Sequence, residues 1–215
     1  MPYRRTENVL RRLAARHDAI VDAAGALAAE GGINAVQIGP VSRRANVATG
    51  TVYRYFPSKT DLVAALADAV AQREIGAMRS AADAAPGPLS ALAAAIATYA
   101  SRALANRRLA FALIAEPVDA GSDQARLKFR AALTAELGKR LHAAIGSGNV
   151  PEQDIAVAAP ALLGALIEGL IGPLAFELDG AGKSRDAVQA VTLFALRAVG
   201  VADARARGLV VGMRV

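Results

Sequence analysis

The chain has 215 residues, of which 54% are apolar and 4% aromatic, and 53 are Ala, which favours helices over strands and so excludes an all-β fold. With no Cys and only His17 and His142, the sequence excludes disulfides, thiol nucleophiles and Cys or His metal clusters, and we expect no metal and no cofactor. Of the net charge of +6, residues 1–60 hold +5 and residues 61–215 hold +1, so an acidic partner is indicated for the first quarter of the chain.

Gly and Pro residues divide the chain into helix-length segments, and no segment shows the alternation of a strand. The first helix is indicated by Ile20, Ala24 and Leu27, which share one helical face before the Gly31-Gly32 break. The predicted helices cover about residues 12–30, 40–45, 48–56, 58–82, 89–106, 108–115, 122–145, 152–178 and 184–199. We therefore predict an all-α fold of about nine helices.

Neither a secretory signal nor a membrane span is expected. Arg4 and Arg5 are not followed by the apolar run that a signal peptide needs, and together with the lack of Cys this predicts a cytoplasmic protein. The segment 155–176 contains Glu168 as its single charge and approaches the length of a span. Its acidic flanks and its Gly, Pro and Ala content favour a helix buried between protein surfaces instead.

Residues 33–59 read as two short helices joined by a tight turn. Asn46 suits the turn because Asn tolerates the left-handed conformation better than most residues with a β-carbon. Ser58 is a plausible N-cap of the following helix, and Asp61 places a carboxylate in its first turn.

The second short helix carries what a reader of the DNA major groove requires. Gly50 lets the backbone approach a phosphate closely, and Arg54 can address a guanine edge or a phosphate. Lys59 lies in the first turn of the next helix, where exposed N–H groups also favour an anion. Hydroxyl groups come from Thr49, Thr51, Tyr53 and Tyr55.

The pattern Gly-Thr-x-Tyr-x-Tyr-Phe-x-Ser-Lys over residues 50–59 resembles the DNA-binding domain of TetR-family transcriptional regulators, and the resemblance extends over about residues 16–66. It implies an all-α homodimer, with a three-helix helix-turn-helix domain at 1–60 and a variable ligand-binding and dimerisation domain at 61–215. It implies phosphate contacts at Thr51, Tyr53 and Lys59, and base contacts at Thr49, Gly50 and Arg54.

The sequence departs from the family pattern at three places. Gln37, a further candidate for DNA contact, replaces the usual Thr, and Pro40 is acceptable only in the first turn of its helix. Asn46 replaces the usual Gly of the turn. Ala48 replaces the usual Ser, so the recognition helix lacks a hydroxyl cap. These departures bear on the operator sequence and leave the fold unchanged.

Two alternatives stay open at this point. Residues 33–59 would also suit a structural helical hairpin, although Tyr53, Arg54 and Tyr55 in succession cannot all face inward. The basic N-terminal segment, with Arg11 and Arg12, is either a disordered charge run or an arm that contacts phosphates or the minor groove.

Residues 61–215 are nearly neutral and rich in Ala. The predicted helices 152–178 and 184–199 carry large apolar faces that a single domain would struggle to bury, and the family resemblance assigns them to a dimer interface. A ligand pocket is expected among the middle helices, because small side chains leave gaps where they face one another. Its candidate residues are Tyr99, Phe111, Phe129 and Glu168, of which Glu168 would need a partner if ionised and buried.

The sequence thus predicts a dimeric transcriptional regulator, a repressor that binds a pseudo-palindromic operator in double-stranded DNA and is released by a small-molecule effector. The alternative is a DNA-binding protein without an effector. No catalytic constellation is visible, so we do not expect an enzyme.

Overall fold

The computed structural model describes residues 3–116, 120–173, 175 and 181–212. Over these residues the chain contains ten α-helices and a short 3-10 helix (Ile33–Ala35), with no strand, which confirms the all-α prediction. The α-helices are α1 (Tyr3–Gly31), α2 (Ile38–Arg44), α3 (Thr49–Tyr55), α4 (Lys59–Asp83), α5 (Pro88–Ala105), α6 (Arg107–Ile114), α7 (Ala120–Gly146), α8 (Ile155–Leu170), α9 (Ala181–Ala198) and α10 (Asp203–Val211).

The helix boundaries differ from the predicted ones at three places. Helix α1 begins at Tyr3 instead of near residue 12, so Arg11 and Arg12 belong to a helix and not to a disordered run. Helix α8 ends at Leu170, well before the predicted end at 178. Helix α10 is a tenth helix that we did not predict, because its sequence has only a weak apolar periodicity.

Helices α1, α2 and α3 and the first turns of α4 form a small unit that we call the N-terminal head. Its core contains Ile20, Val41, Val52, Phe56 and Leu62, each no more than 4% exposed. Helix α1 packs on α2 and α4, and α2 packs on α3. The apolar residues that the sequence placed between the two short helices therefore fix the angle at which α3 is held.

Helix α5 is the centre of the remaining part of the chain, and it packs on α4, α6, α7, α8, α9 and α10. It begins with Pro88 after the predicted break, as is typical of the first helical turn. Small residues cover much of its buried surface, and they let six neighbours approach one helix. Its buried residues are Leu89, Ala91, Leu92, Ala93, Ala95, Ile96, Ala97, Tyr99, Ala100 and Ala103.

The chain itself buries most of the apolar faces that were assigned to a dimer interface. Leu166 of α8 is fully buried and Leu196 of α9 likewise, since both helices pack on α5. The sequence predicted that a single domain would struggle to bury both faces completely, and the structure buries most of their residues but not all of them. Leu174 lies outside the described residues. Val157 and Phe194 remain exposed, at 64% and 56%.

No helix among the described residues is long and apolar enough to cross a bilayer, which agrees with the expectation drawn from the segment 155–176.

A buried ionic network joins α4 to α7. The Glu136 side chain is 1% exposed and accepts hydrogen bonds from Arg79 Nε at 2.8 Å and Arg140 Nε at 2.9 Å. Arg140 also donates from a terminal nitrogen to Asp83 at 2.8 Å. Burial raises the pKa of Glu136, but the hydrogen bonds from Arg79 and Arg140 outweigh it and hold this pKa below its usual value of 4.5.

We expect Glu136→Gln to lower the free energy of unfolding at pH 7 by about 2 kcal/mol, since it removes the charge from the acceptor of Arg79 and Arg140, while Arg140 keeps Asp83 as an ionic partner. Because the folded-state pKa of Glu136 is depressed, its contribution is fully present above pH 4.5 and is lost as the pH falls through the folded-state value. Urea unfolding at several pH values measures both effects. The exposed carboxylate of Glu152 provides the control, and an equal loss in Glu152→Gln would contradict the prediction.

Candidate nucleic-acid interface and ligand cavity

The turn between α2 and α3 has the predicted left-handed residue. Asn46 has φ of 52°, and it is the non-glycine residue with positive φ in the described chain. The Val47 amide then donates to the Ser42 carbonyl at 3.0 Å, which closes the end of α2. Pro40 is the third residue of α2 and so lies in the first turn, where its missing N–H costs nothing.

The start of α3 is held by side-chain hydroxyls instead of a cap. Ala48 occupies the N-cap position and makes no side-chain cap bond, as the sequence predicted. The hydroxyl of Thr49 lies 3.2 Å from that of buried Ser42, which itself donates to the Gly39 carbonyl at 2.8 Å. This contact ties the first residue of α3 to α2.

One face of α3 is open to solvent. Thr49, Gly50, Tyr53 and Arg54 are exposed on it, whereas Val52 is fully buried against the head. Residues three and four apart share a helical face, so these four side chains form one surface. A Cβ at Gly50 would meet nothing within 4 Å, and the backbone is therefore accessible to a large ligand. Thr51 is half-buried at the edge of this surface.

Tyr55 faces the other way. Its ring packs at 6.4 Å from both His17 of α1 and Phe56, and its hydroxyl is buried without a hydrogen-bond partner. The Arg54 guanidinium lies over the same ring, 5.8 Å from its centre. The sequence placed the Tyr55 hydroxyl among the DNA contacts, but this position favours packing of α3 on α1.

Two further predicted residues flank the exposed face of α3. Lys59 is the first residue of α4, and the predicted N-cap before it is confirmed, because the Asp61 amide donates to Ser58 Oγ at 3.1 Å. The Ser58 amide also donates to Asp61 Oδ2 at 3.0 Å, which completes a capping box that we did not predict. Gln37 is exposed at the N-cap position of α2, where its side chain donates to the Asn34 carbonyl at 3.1 Å.

Two arginines at the end of α2 were not singled out by the sequence. Arg44 donates to Glu30 of α1 at 2.6 Å, so it ties α2 to α1. The exposed Arg43 precedes it and adds positive charge to the head on the helix before α3. Basic residues at a helix end are common in sequences. Only the fold shows that Arg44 forms an ion pair with α1 and that Arg43 is exposed.

A cavity of about 190 Å³ lies among α4, α5, α6 and α7. Tyr99 and Phe129, two of the four predicted ligand residues, line it. The other two do not: Phe111 stacks with Arg108 at 5.8 Å, and Glu168 is exposed on α8, so its charge is solvated and needs no buried partner. The remaining lining residues are Val70, Arg73, Glu74, Arg102, Ala103, Asn106, Leu109, Ala110 and Ile114.

Helix α6 links this cavity to the head. Its residues Leu109 and Ile114 line the cavity, and Glu116, just beyond its end, accepts a hydrogen bond from the Ile33 amide at 3.3 Å. Arg108 lies 3.9 Å from the same carboxylate. Gly32 has φ of 73°, and a Cβ there would overlap both the Arg108 and the Glu116 side chains. A glycine at this position therefore allows α6 to reach the end of α1.

The comparisons with known proteins agree with the geometry of the head. Residues 20–66 match the family model described as bacterial regulatory proteins, tetR family. The HTH-type transcriptional repressor KstR of Rhodococcus jostii is 58% identical over 53 residues, which are 24% of this chain and 25% of that protein. KstR of Mycobacterium tuberculosis is 54% identical over 48 residues, or 22% of each chain. The matches thus span about a quarter of the length of these curated relatives.

Solved structures resemble the whole chain in fold. RolR in complex with resorcinol superposes with a TM-score of 0.69 at 21% identity, covering 95% of this chain and 97% of RolR. The transcriptional regulator FadR from Bacillus subtilis, in complex with stearoyl-CoA, gives a TM-score of 0.69 at 23% identity, covering 85% and 97%. At these identities the likeness shows a common fold.

The left-handed turn gives a stability prediction. We expect Asn46→Ala to lower the free energy of unfolding by about 1 kcal/mol, because a Cβ without a compensating polar group is strained at this φ. Asn46→Gly removes the strain and serves as the matched variant, with a stability equal to or above that of the parent chain. Thermal unfolding compares the three proteins, and equal stability of the Ala and Gly variants would refute the argument.

The contact between Glu116 and the head predicts a local change in hydrogen exchange. In Glu116→Ala the Ile33 amide loses its acceptor, and we expect its exchange to accelerate by about an order of magnitude. Exchange measured by NMR on the full chain tests this, with the exposed Glu152→Ala as the control. Unchanged protection of Ile33 in Glu116→Ala would show that the contact does not hold the head.

Proposed function

We propose that the chain is a member of the TetR family of bacterial regulatory proteins, whose model matches residues 20–66, and that it acts as a dimeric transcriptional repressor. In this proposal it binds a pseudo-palindromic DNA operator and is released by a small molecule. Family membership indicates a regulator and not an enzyme. The observation that carries the DNA-binding part is the exposed face of α3, where Thr49, Gly50, Tyr53 and Arg54 lie together within residues 1–60, which hold +5 of the net charge of +6.

The chemistry of this face suits the major groove. Arg54 supplies a guanidinium that can donate two hydrogen bonds to the edge of a guanine. Thr49 lies five residues earlier on the same helix. Thr51, Tyr53 and Lys59 supply hydroxyl and ammonium groups for phosphates, and Gln37 extends the surface to the start of α2. In this proposal residues 1–60 form the DNA-binding domain and residues 61–215 the ligand-binding and dimerisation domain.

A second copy of the chain is proposed to dock on α8 and α9. Val157 and Phe194 are large apolar side chains exposed on these two helices, and they line one groove with Ala161, Ala165 and Ala198. Small residues between two exposed apolar ones allow helices of a partner to approach closely. The dimer would place two α3 helices in successive major grooves, about 34–36 Å apart.

The proposed effector site is the cavity among α4, α5, α6 and α7. Support comes from the fold relatives, since RolR was solved with resorcinol and FadR from Bacillus subtilis with stearoyl-CoA. Helices α4 and α6 both line the cavity and both contact α1 of the head. A ligand that prefers a different spacing of these helices would lower DNA affinity by its differential affinity, typically 1–3 kcal/mol.

The runner-up is a DNA-binding protein without an effector. This alternative uses the same exposed face of α3 and the same positive charge to bind DNA. It differs in that no ligand binds the cavity. Titration of operator binding against a broad metabolite set separates the two, because an affinity that no compound changes would favour the runner-up.

Two substitutions distinguish base reading from phosphate binding. Arg54→Ala is expected to reduce discrimination between operator and random DNA by about 1–3 kcal/mol. Lys59→Ala is expected to weaken binding to all DNA about equally and to lower the salt slope by about 1. Fluorescence anisotropy with both DNAs at several salt concentrations measures these changes.

The control is Lys139→Ala, which removes the same charge from an exposed position on α7. Its operator affinity is expected to match that of the parent chain. Undiminished operator preference in Arg54→Ala would count against the base-reading role.

A further inference from the structure

The cavity among α4, α5, α6 and α7 contains a buried polar atom to which no group among the described residues makes a hydrogen bond. Tyr99 is 2% exposed and lines the cavity, and its hydroxyl has no hydrogen-bond partner. Buried hydroxyls in folded proteins almost always have a partner, because losing hydration without replacement is costly. The Tyr99 hydroxyl therefore requires a partner from outside the chain.

The charged groups at the cavity do not supply that partner. Arg102 donates from Nε to Glu74 Oε2 at 2.7 Å and from a terminal nitrogen to Glu74 Oε1 at 2.9 Å, and the Tyr99 hydroxyl makes no hydrogen bond to either residue. Burial raises the pKa of Tyr99, and the negative charge of Glu74 raises it further. The hydroxyl thus stays protonated at neutral pH and is available as a donor.

The size of the cavity limits what can occupy it. Its volume is about 190 Å³, whereas a cavity of about 150 Å³ accommodates benzene. Pockets for drug-sized ligands are larger, at about 300–1,000 Å³. The space therefore holds one substituted ring and is too small for a long acyl chain.

The remaining walls suit an apolar ring. Phe129 offers an aromatic surface, and the aliphatic wall consists of Val70, Ala103, Leu109, Ala110 and Ile114. The polar lining residues Arg73, Arg102 and Asn106 are exposed, so they lie where the cavity meets solvent. An apolar body with a single polar group is the chemistry that such a lining and one unpaired hydroxyl would select.

We propose that the cavity binds a compact single-ring molecule whose oxygen atom accepts a hydrogen bond from the Tyr99 hydroxyl. This assigns a chemical class to the effector and rests on the proposed function. It commits the site to an oxygen-bearing ring, in preference to an unsubstituted hydrocarbon, a long-chain lipid or a bound water alone.

Isothermal titration calorimetry of the full chain tests the assignment with three probes: acetophenone, toluene and stearate. Acetophenone and toluene are both single rings, but only acetophenone carries an acceptor oxygen. We expect acetophenone to bind, toluene to bind about tenfold more weakly, and stearate not to bind. In Tyr99→Phe, acetophenone affinity is expected to fall about tenfold to the level of toluene, and toluene affinity to stay the same.

The matched control is Tyr55→Phe, which removes the other tyrosine hydroxyl that is buried without a partner, in the N-terminal head. Its acetophenone affinity is expected to equal that of the parent chain. Thermal unfolding of both variants shows whether each remains folded. If Tyr99→Phe does not fold, Phe129→Leu is measured in its place. Acetophenone affinity is expected to fall in this variant as well.

Three results would overturn the proposal. These are equal acetophenone affinity in the parent chain and Tyr99→Phe, binding of stearate without binding of either ring compound, and no binding of any probe. Because the titrations contain no DNA, they are independent of operator binding. If the full chain binds acetophenone but binds no DNA sequence specifically, the proposed function is contradicted and the proposed ligand class is still supported.

Discussion

One uninterrupted helix, α4, runs from Lys59 to Asp83 and joins the N-terminal head to the helices that line the cavity. The position of the head relative to the cavity therefore depends on this helix. Its first turns bury Leu62 and Leu66 in the core of the N-terminal head. Its middle turns place Val70 and Glu74 at the cavity, and its last turns carry Arg79 and Asp83 into the buried ionic network with α7. The head therefore cannot change its position without moving helices that line the cavity.

Helix α6 adds a second connection of different character. The α4 connection is continuous backbone, whereas α6 reaches the head through the Glu116 carboxylate and the Ile33 amide. The Glu116 side chain is 14% exposed, and α6 also packs on α1. A hydrogen bond and side-chain packing can still be broken without interrupting the backbone, so the second connection is easier to break than the first. The proposed response to a ligand uses this difference. The head stays joined to the cavity through α4, and a ligand that displaces α6 changes the position of the head relative to α4.

Local chemistry made the head predictable from sequence. The left-handed turn at Asn46, the missing cap at Ala48 and the N-cap at Ser58 each depend on residues within a few positions of one another, and all three were predicted. The contacts that position the head depend on residues far apart in sequence. Glu116 and Ile33 are separated by 83 residues, and Arg79 and Glu136 by 57, so no local pattern indicates either pair.

The candidate ligand residues show the same limit. Periodicity indicated that Tyr99, Phe129, Phe111 and Glu168 lie on helices, but the direction in which each side chain points depends on which helices pack together. Only Tyr99 and Phe129 face the cavity. The charge distribution was more informative, since an excess of +5 in residues 1–60 coincides with the unit that exposes Thr49, Tyr53 and Arg54.

The central claim is that two copies of α3 read two half-sites of one operator. The most direct measurement is to select the DNA that the full chain binds from fragments of its own genome and to footprint the bound sequence. Two α3 helices related by a two-fold axis are expected to protect an inverted repeat whose half-site centres are about 10–10.5 base pairs, or a multiple of this, apart. Protection without sequence preference, or of a single unpaired half-site, would contradict it.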